Sequence, residues 1–413
     1  MPTLTPVDAQ MFWMAAKIPS DQFLLYAFDG VPADVDAAVA AVRGRAAGCT
    51  ELLVKVTDDR FWSFPQWVRA QVDDAWVVHH TAADWQSCLD AVAALADDQL
   101  DVRRRTWRVH VFVGVDGIPG AAGAGSVVVV QISHVLGDGN RSSALAARLF
   151  GRDAPIPAVV PRPWGSVALP VLAVRASLAH RQLVADTEAG VVAAPSDTWP
   201  AQCTNAAPCA PIRLRTIVRP RRGLPGPTVT VGVLAAVAQA LAAVLPDVPL
   251  GAEVPMAKPG VRHANNHFGN VSVGLYPQSP FAERAAKIAA DLAGRRQRFG
   301  HPAMIAADAA TAAVPATLLR WGISHFDPAA RSETVGGNTV VSSINRGATD
   351  LSFGGCPVVM TAGYPALSPM MGLTHGVHGI GDSVAVSVHA AASALPDLDG
   401  YVDRLADALD GDK

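Results

Sequence analysis

Residues 127–139 read VVVVQISHVLGDG, and this stretch decides how the first part of the chain is interpreted. A continuous Val-rich run that ends at Ser133 predicts a strand buried on both faces. His134 follows at the exit of this strand, and helical spacing begins again over residues 142–149. Because rigid elements often hold functional side chains on such connecting loops, the stretch predicts a functional site at the end of the strand.

The chemistry that this stretch offers depends on one imidazole. His134 titrates near neutral pH, so it can take a proton from a hydroxyl and return it to a leaving group. Asp138 can hold the turn or pair with a buried cation, and Gly139 allows a close approach of the backbone. The bare His-x-x-x-Asp-Gly pattern has low specificity, and a histidine that merely satisfies a turn is the alternative interpretation.

The organisation of the chain favours two domains, since 413 residues are more than one core usually holds. Helix-like and strand-like segments alternate on both sides of a Pro-rich stretch, which predicts an α/β or α+β fold with a site between two halves. We predict an N-terminal half at residues 1–150, a crossover linker at residues 151–227 and a C-terminal half at residues 228–413. The predicted helices cover residues 35–47, 85–96, 142–149, 171–186, 229–245, 281–298 and 398–409, and the predicted strands residues 108–114, 126–132, 271–275, 340–343, 358–360 and 383–388.

Composition limits the class of protein. Half of the residues are apolar, 17% are charged and the net charge is -3, so chain-long disorder is excluded and no positive field exists to bind nucleic acid. The five cysteines are too scattered for a disulfide scaffold and fit reduced thiols in a cytosol. Residues 1–10 do not resemble a signal peptide, and residues 229–245 are interpreted as a buried core helix rather than a transmembrane helix. We therefore expect a cytoplasmic protein that contacts a membrane or lipid body peripherally, through apolar patches.

Five further stretches add to the histidine motif. They are LTPVD at residues 4–8, LDVRRRTWRVHVF at 100–112, FGNVS at 268–272, NTVVS at 338–342 and YPALSP at 364–369. With residues 133–139, which are similar to an HHxxxDG motif, these stretches resemble the bacterial wax ester synthase/diacylglycerol acyltransferase family. They occur in the family's order and cover nearly the whole chain. The family is part of a condensation-domain-like superfamily of CoA-dependent acyltransferases.

The resemblance implies two chloramphenicol-acetyltransferase-like domains, each a mixed sheet with helices, and an active-site channel at their interface. It implies that His134 is the general base that deprotonates an alcohol for attack on the thioester carbonyl of an acyl-CoA. Asp138 would orient the loop through an arginine that the sequence does not identify, and the N–H of Gly139 is a candidate oxyanion donor. The residues expected to contact substrate are Ser133, Asn270 and Ser342.

The expected reaction gives triacylglycerol or a wax ester, with diacylglycerol or a long-chain alcohol as the acceptor. Acyl-CoA is a substrate, and no metal or redox cofactor is implied. Two alternatives remain: a condensation-type acyltransferase that takes its acyl group from a carrier protein, and a catalytically inactive homologue that binds lipid.

Departures from the family pattern motivate these alternatives. Ser133 replaces the first histidine of the motif, Thr230 and Val231 replace an Asn-Asp pair, and Arg105 replaces a proline. Residues 342–347 read SSINRG where the family has SNVPGP.

Other histidine and arginine clusters are weaker candidates. His79 and His80 are predicted to lie in a loop before a helix capped by Thr81 or Asp84. His263 and His267 have helical i, i+4 spacing, but Gly and Asn residues around them favour a loop, and no metal site is predicted. Arginines at 103–108 and 213–222 are candidates to bind CoA phosphates or lipid head groups, with a solvated surface as the alternative.

Overall fold

The computed structural model describes residues 2–411, which form two mixed α/β halves. Each half is built on a six-stranded sheet, and the predicted mixed α/β architecture is confirmed. The strands are β1 (Gln22–Phe28), β2 (Val54–Thr57), β3 (Gln66–Arg69), β4 (Val77–His80), β5 (Trp107–Val115), β6 (Gly125–Ile132), β7 (Trp199–Pro200), β8 (Ile212–Pro220), β9 (Gly251–Ala257), β10 (Phe268–Gly274), β11 (Thr334–Val335), β12 (Thr339–Asn345), β13 (Ser352–Phe353), β14 (Cys356–Gly363), β15 (Leu373–Ile380) and β16 (Ser383–Ala391).

The helices pack on the faces of these sheets or on one another. They are α1 (Pro6–Met14), α2 (Val35–Ala47), α3 (Trp85–Ala94), α4 (Gly139–Leu149), α5 (Leu169–Glu188), α6 (Val229–Ala242), α7 (Phe281–Phe299), α8 (Pro302–Thr311), α9 (Ala316–Ser324) and α10 (Leu398–Asp410). Local sequence sets several of their first residues. Asp34 caps α2, and Asp84 forms a capping box with Ser87 at the start of α3, so Asp84 rather than Thr81 is the cap.

The first sheet has the strand order β13-β14-β1-β6-β5-β4. Every residue of β6 is buried, because helices α2 and α4 pack on one face and α3 packs on the other. This burial accounts for the continuous run of valines. The strand ends at Ile132, so the rigid centre of the sheet fixes the place where the histidine loop begins.

The second sheet has the strand order β10-β9-β12-β15-β16-β8. Helix α6 packs against it together with α7 and α10, and ten of the residues of α6 are buried. The interpretation of this apolar segment as a core helix is therefore confirmed. Within residues 2–411 no single helix is long and apolar enough to cross a bilayer; α8 and α9 pass that test only as a pair, which is bent by 93°.

Two strands connect the parts of the chain that the sequence separates. β14, from the C-terminal half, pairs with β1 and completes the first sheet. β8, from the segment predicted as a linker, pairs with β16 at the edge of the second sheet. The segment 151–227 also contains the 20-residue helix α5, so it is more than a connection. The boundaries at residues 150 and 227 stay a prediction.

One local prediction is wrong. His79 and His80 were expected in a loop, but they end β4, which pairs in parallel with β5. Nε2 of His80 lies 2.9 Å from Nδ1 of His110 on β5, so the pair belongs to the sheet edge. A four-residue edge strand has too short a pattern to be separated from a loop by periodicity.

Candidate active site

A cavity of about 1010 Å³ lies between the two sheets. Both halves line it: the histidine loop and β1 on one side, and β9, β10 and β12 on the other. Of the predicted site residues, those that line it are His134, Asp138, Gly139, Asn270 and Ser342. The fold thus gathers five of the six predicted residues around one space.

The imidazole of His134 is oriented by an amide from the other half. His134 opens a short 3₁₀ turn directly after β6. Its Nδ1 lies 3.3 Å from Oδ1 of Asn266, while Nδ2 of Asn266 donates to the carbonyl oxygen of His134 at 2.7 Å. Because Oδ1 of Asn266 only accepts, Nδ1 carries the proton and Nε2 is left with a free lone pair. Among residues 2–411, Nε2 has no hydrogen-bond partner.

Asp8 fixes the orientation of that amide. Its Oδ1 accepts from Nδ2 of Asn266 at 2.9 Å and from the backbone N–H of Asn266 at 3.0 Å. Its Oδ2 accepts from the N–H of Asn265 at 3.0 Å and from the hydroxyl of Thr5 at 2.7 Å. Burial raises the pKa of Asp8 although these donors oppose the shift. The N-terminal stretch 4–8 therefore acts on His134 through Asn266.

Burial also sets the charge of His134. Desolvation lowers its pKa below the ordinary value of 6.5, and the contact with Asn266 opposes the shift. The ring of Phe268 stacks against the imidazole at 6.0 Å between centroids. The side chain is therefore neutral at pH 7, which is the state that accepts a proton.

Asp138 holds the loop from the opposite side, and its partner is Arg262. Nη1 of Arg262 donates to Oδ2 of Asp138 at 2.8 Å, and both side chains are largely buried. Oδ2 also accepts from the N–H of His267 at 2.9 Å, while Oδ1 accepts from the N–H of Arg141 as the cap of α4. The loop 262–267 is thereby attached to both ends of the histidine turn. No sequence pattern singled out Arg262 or Asn266, and Asp8 stood out only as part of the family-like stretch at residues 4–8.

Gly139 is the first residue of α4, and its lack of a side chain has a steric reason. A Cβ atom at this position would lie 2.2 Å from Cδ1 of Ile344 on β12. The N–H of Gly139 belongs to the first helical turn, where backbone donors have no partner within the helix. It is therefore available, at the wall of the cavity, to an oxygen that develops negative charge.

The three predicted substrate-binding residues differ in position. Ser133 is 1% exposed, does not line the cavity, and its hydroxyl accepts from the N–H of Val135 at 3.3 Å. Asn270 lines the cavity from β10 and donates to Oε2 of Glu253 at 3.1 Å. Ser342 lines it from β12.

Two of the departures from the family pattern contact each other. The hydroxyl of Thr230 donates to Oγ of Ser343 at 2.8 Å, and both residues line the cavity. Thr230 replaces an asparagine, and Ser343 replaces the asparagine of the SNVPGP stretch. The pair therefore forms a local polar contact between α6 and β12 in place of two amides.

The remaining candidates lie outside this cavity. Nδ1 of His263 bonds to the carbonyl oxygen of Val160, while His267 approaches Asp138, and no cluster suited to a metal occurs in the part of the chain that is described. Three arginines of the second cluster pair with carboxylates: Arg215 with Asp399, Arg219 with Asp410 and Arg222 with Asp382.

The first arginine cluster lies on a separate cavity. Arg103, Arg104 and Arg105 line it together with Lys55 and Arg69, and its volume is about 570 Å³. Its walls are mainly basic.

The chain resembles known proteins in part of its sequence and in its overall fold. Residues 265–411 match the family model described as the WS/DGAT C-terminal domain. The match covers the C-terminal part of the chain. This part contains Asn265, Asn266 and the strands that line one side of the cavity, and the match supports an acyltransferase as the class of enzyme. No curated protein matches the chain in sequence.

The fold of the whole chain is similar to that of solved structures. The structure is similar to the wax ester synthase/diacylglycerol acyltransferase from Marinobacter aquaeolei VT8, with a TM-score of 0.64, 19% identity, and 99% of this chain and 98% of that chain covered. It is also similar to the starter condensation domain of rhizomide synthetase in complex with C8-CoA, with a TM-score of 0.58, 14% identity, and coverage of 100% and 96%. A third similar structure is the first condensation domain of the calcium-dependent antibiotic synthetase. Its TM-score is 0.59 and its identity 15%, and the match covers 99% of this chain and 95% of that chain.

Replacement of Arg262 by alanine is expected to destabilise the protein strongly. Asp138 would keep a buried charge without its cation, which typically costs about 3 kcal/mol or more. Urea unfolding followed by circular dichroism measures the change in the free energy of unfolding. The matched control is Arg404→Ala. It removes a more exposed ion pair, in which Nη1 of Arg404 lies 3.9 Å from Oδ2 of Asp397, and it should cost less than about 1 kcal/mol. Equal effects of the two substitutions would contradict the role of Arg262.

Proposed function

We propose that the protein is an O-acyltransferase that moves a fatty acyl group from acyl-CoA to the hydroxyl of diacylglycerol or a long-chain alcohol. The observation that carries the proposal is the free Nε2 of His134 at a cavity formed by both halves, with Nδ1 held by Asn266. This geometry fits a general base that acts on a substrate hydroxyl. The match to the WS/DGAT C-terminal domain supports the choice of acyl transfer.

The proposed reaction is a direct transfer. Nε2 of His134 removes the proton of the hydroxyl as the alcohol oxygen attacks the thioester carbonyl. The carbonyl oxygen becomes an oxyanion, which the N–H of Gly139 stabilises, with Ser342 as a second donor from the facing strand. The C–S bond then breaks, and the imidazolium returns the proton to the sulfur, so the products are an ester and free CoA. No covalent acyl-enzyme is needed.

The position of Ser133 supports an active enzyme. In this chain the first position of the motif is buried away from the cavity, and the serine hydroxyl is used within its own turn. The replacement therefore removes no group that faces the reacting atoms. Thr230 and Ser343 keep a polar contact where the family has amides, which changes the cavity wall and leaves the histidine loop intact.

A second candidate function uses a different acyl donor. The condensation domains that share the fold are parts of synthetases, and a donor carried on a phosphopantetheinyl protein is the alternative. Acyl transfer from an acylated carrier protein, with none from free acyl-CoA, would favour it. An inactive lipid-binding homologue is the third candidate, and lipid binding without turnover in both the wild type and His134→Ala would favour that.

Turnover is expected to depend on His134. Purified protein with palmitoyl-CoA and either diolein or hexadecanol should release CoA and form the matching ester in equal amounts. In His134→Ala, kcat should fall by at least about 100-fold, because the general base is lost. Thiol release and ester formation are measured together, and His263→Ala is the matched histidine control. Release of CoA by the wild type that persists in His134→Ala would refute the assignment of the base.

The pH profile should report the buried imidazole. Activity needs neutral His134, and its pKa is lowered from 6.5, so kcat/KM should stay level near pH 7 and fall only at more acidic pH. Asn266→Ala removes an acceptor that favours the imidazolium, so the acidic limb should move to lower pH. The same variant should lower kcat by at least about tenfold, because the tautomer is no longer fixed. An acidic limb that stays in place or moves to higher pH would contradict the geometry.

Peripheral contact with a lipid surface is also part of the proposal. Helix α5 exposes Val171, Val174 and Leu178 on one face, and the exposed Ile305 lies on α8, which packs beside it. Exposed arginines occur on the same helix, at positions 175 and 181. An apolar stripe with nearby cations suits a surface that carries anionic lipid.

Vesicle co-sedimentation tests this contact. The double variant Val174→Asp/Leu178→Asp should bind vesicles of phosphatidylcholine and phosphatidylglycerol less than the wild type does, because it places two carboxylates in the apolar stripe. Val31→Asp changes an exposed valine outside this helix and should bind as the wild type does. Complete recovery of the wild type in the supernatant at low salt would rule out the contact.

A further inference from the structure

A buried cation lies in the wall of the same cavity. Arg346 follows β12, is only 4% exposed and lines the cavity. Its Nη1 donates to the carbonyl oxygens of Leu25 at 3.3 Å and Ala362 at 3.0 Å, and also to the hydroxyl of Thr361. The guanidinium also lies over the ring of Tyr26, 5.1 Å from its centroid. These neutral contacts fix the position of the charge and leave it uncompensated.

Nothing among residues 2–411 neutralises this cation. No carboxylate lies within 4.0 Å of Arg346, whereas Arg262 and Arg320, which are also largely buried, each have one. Nε of Arg346 is buried without any hydrogen-bond partner, and Nη2 donates to no described residue. An unpaired buried charge is strongly unfavourable, so the arrangement calls for an anion from outside the chain.

A histidine with unused hydrogen-bonding capacity lies beside it. His378 on β15 is 4% exposed and lines the cavity, and its Nδ1 is buried without a partner. Burial and the charge of Arg346 lower the pKa of His378 well below 6.5, so its ring is neutral and can donate one hydrogen bond. The side chain adds no second positive charge to the wall.

The backbone leaves room for both groups. A Cβ atom on Gly363 would lie 2.9 Å from Nη2 of Arg346 and 2.9 Å from Nε2 of His378, so the two nitrogens meet over one glycine. On β15, the strand that carries His378, a Cβ on Gly376 would lie 2.0 Å from the carbonyl oxygen of Gly363 and 2.9 Å from Cε1 of the same histidine. Side chains at these glycines would displace the pair.

The cluster lies within the reach of a substrate chain that extends from the base. Arg346 bonds to Leu25 on β1, whereas Gln22, three residues earlier on the same strand, donates to the carbonyl oxygen of Gly137 in the histidine loop at 2.8 Å. Three residues of extended strand span roughly 10 Å. A chain of several methylene groups can therefore join a group at His134 to a group at Arg346.

We propose that Arg346 and His378 form an anion subsite that binds a carboxylate carried on the substrate chain. The enzyme then acts on acids whose carboxylate is bound at this subsite while a distant group on the same chain forms the ester at His134. The inference rests on the proposed acyltransferase only for the reaction that takes place at His134. Resemblance to the family does not supply the subsite, since residue 346 is a glycine in the family's SNVPGP stretch and an arginine here.

Titration calorimetry with decanoate and decanamide tests the subsite without any turnover. The two probes have the same chain length and differ in charge. The wild type should bind decanoate at least about tenfold more tightly than decanamide, because a hydrogen bond to a charged group has about that strength. Arg346→Met should bind the two probes equally, and His378→Leu should reduce the preference. Arg346→Lys keeps the charge and should retain part of the preference for decanoate.

A second cation of the same cavity is the matched control. Arg296 lines the cavity and is exposed, so Arg296→Met should leave the preference for decanoate unchanged. Thermal unfolding gives an independent readout: decanoate should raise the Tm of the wild type and leave that of Arg346→Met unchanged.

Three results would overturn the subsite: no preference in the wild type, an equal preference in Arg346→Met, or equal competition by acetate and inorganic phosphate. The last would show a site for any small anion rather than for a carboxylate on a chain. Because neither probe is a thioester or an alcohol, failure of the acyltransferase assay does not affect these outcomes.

Discussion

The buried carboxylate of Asp8 is the constraint on which the site depends. It lies on the first helix of the N-terminal half, and it accepts two backbone N–H groups and one amide N–H from Asn265 and Asn266 of the other half. That arrangement leaves the amide oxygen of Asn266 facing His134, so the tautomer of His134 depends on the docking of the two halves. Asp138 and Arg262 attach the same loop from its other end. The geometry proposed for catalysis exists only in the assembled molecule, and neither half contains it alone.

The local parts of this arrangement could be predicted from sequence, because they depend on neighbouring residues. A Val-rich strand that ends at Ile132 and a turn held by Asp138 are both encoded within a dozen positions. β15 was missed because its two histidines and two glycines do not resemble a central strand, and His375 bonds to Thr339 and Tyr401, which are distant in sequence.

The partners of the base could not be found in the same way. Asn266 lies 132 residues from His134 and 258 from Asp8, so no spacing connects them. The asparagines were informative only as signs of a loop, which is what they form. Arg346 was visible as a departure from a family pattern, but its burial without a carboxylate is a property of the tertiary structure. A motif therefore singled out the candidate base, and the fold alone revealed what surrounds it.

The pairing of β14, from the C-terminal half, with β1 has a consequence for biosynthesis. Ribosomes make β1 and β6 long before β14, yet β1 lies between β14 and β6 in the finished sheet. Until residues 356–363 emerge, one edge of a strand with six buried residues has unpaired N–H and C=O groups. Such an edge is a template for pairing with other chains. The nascent protein thus passes through a long interval in which a chaperone has an apolar strand edge to protect.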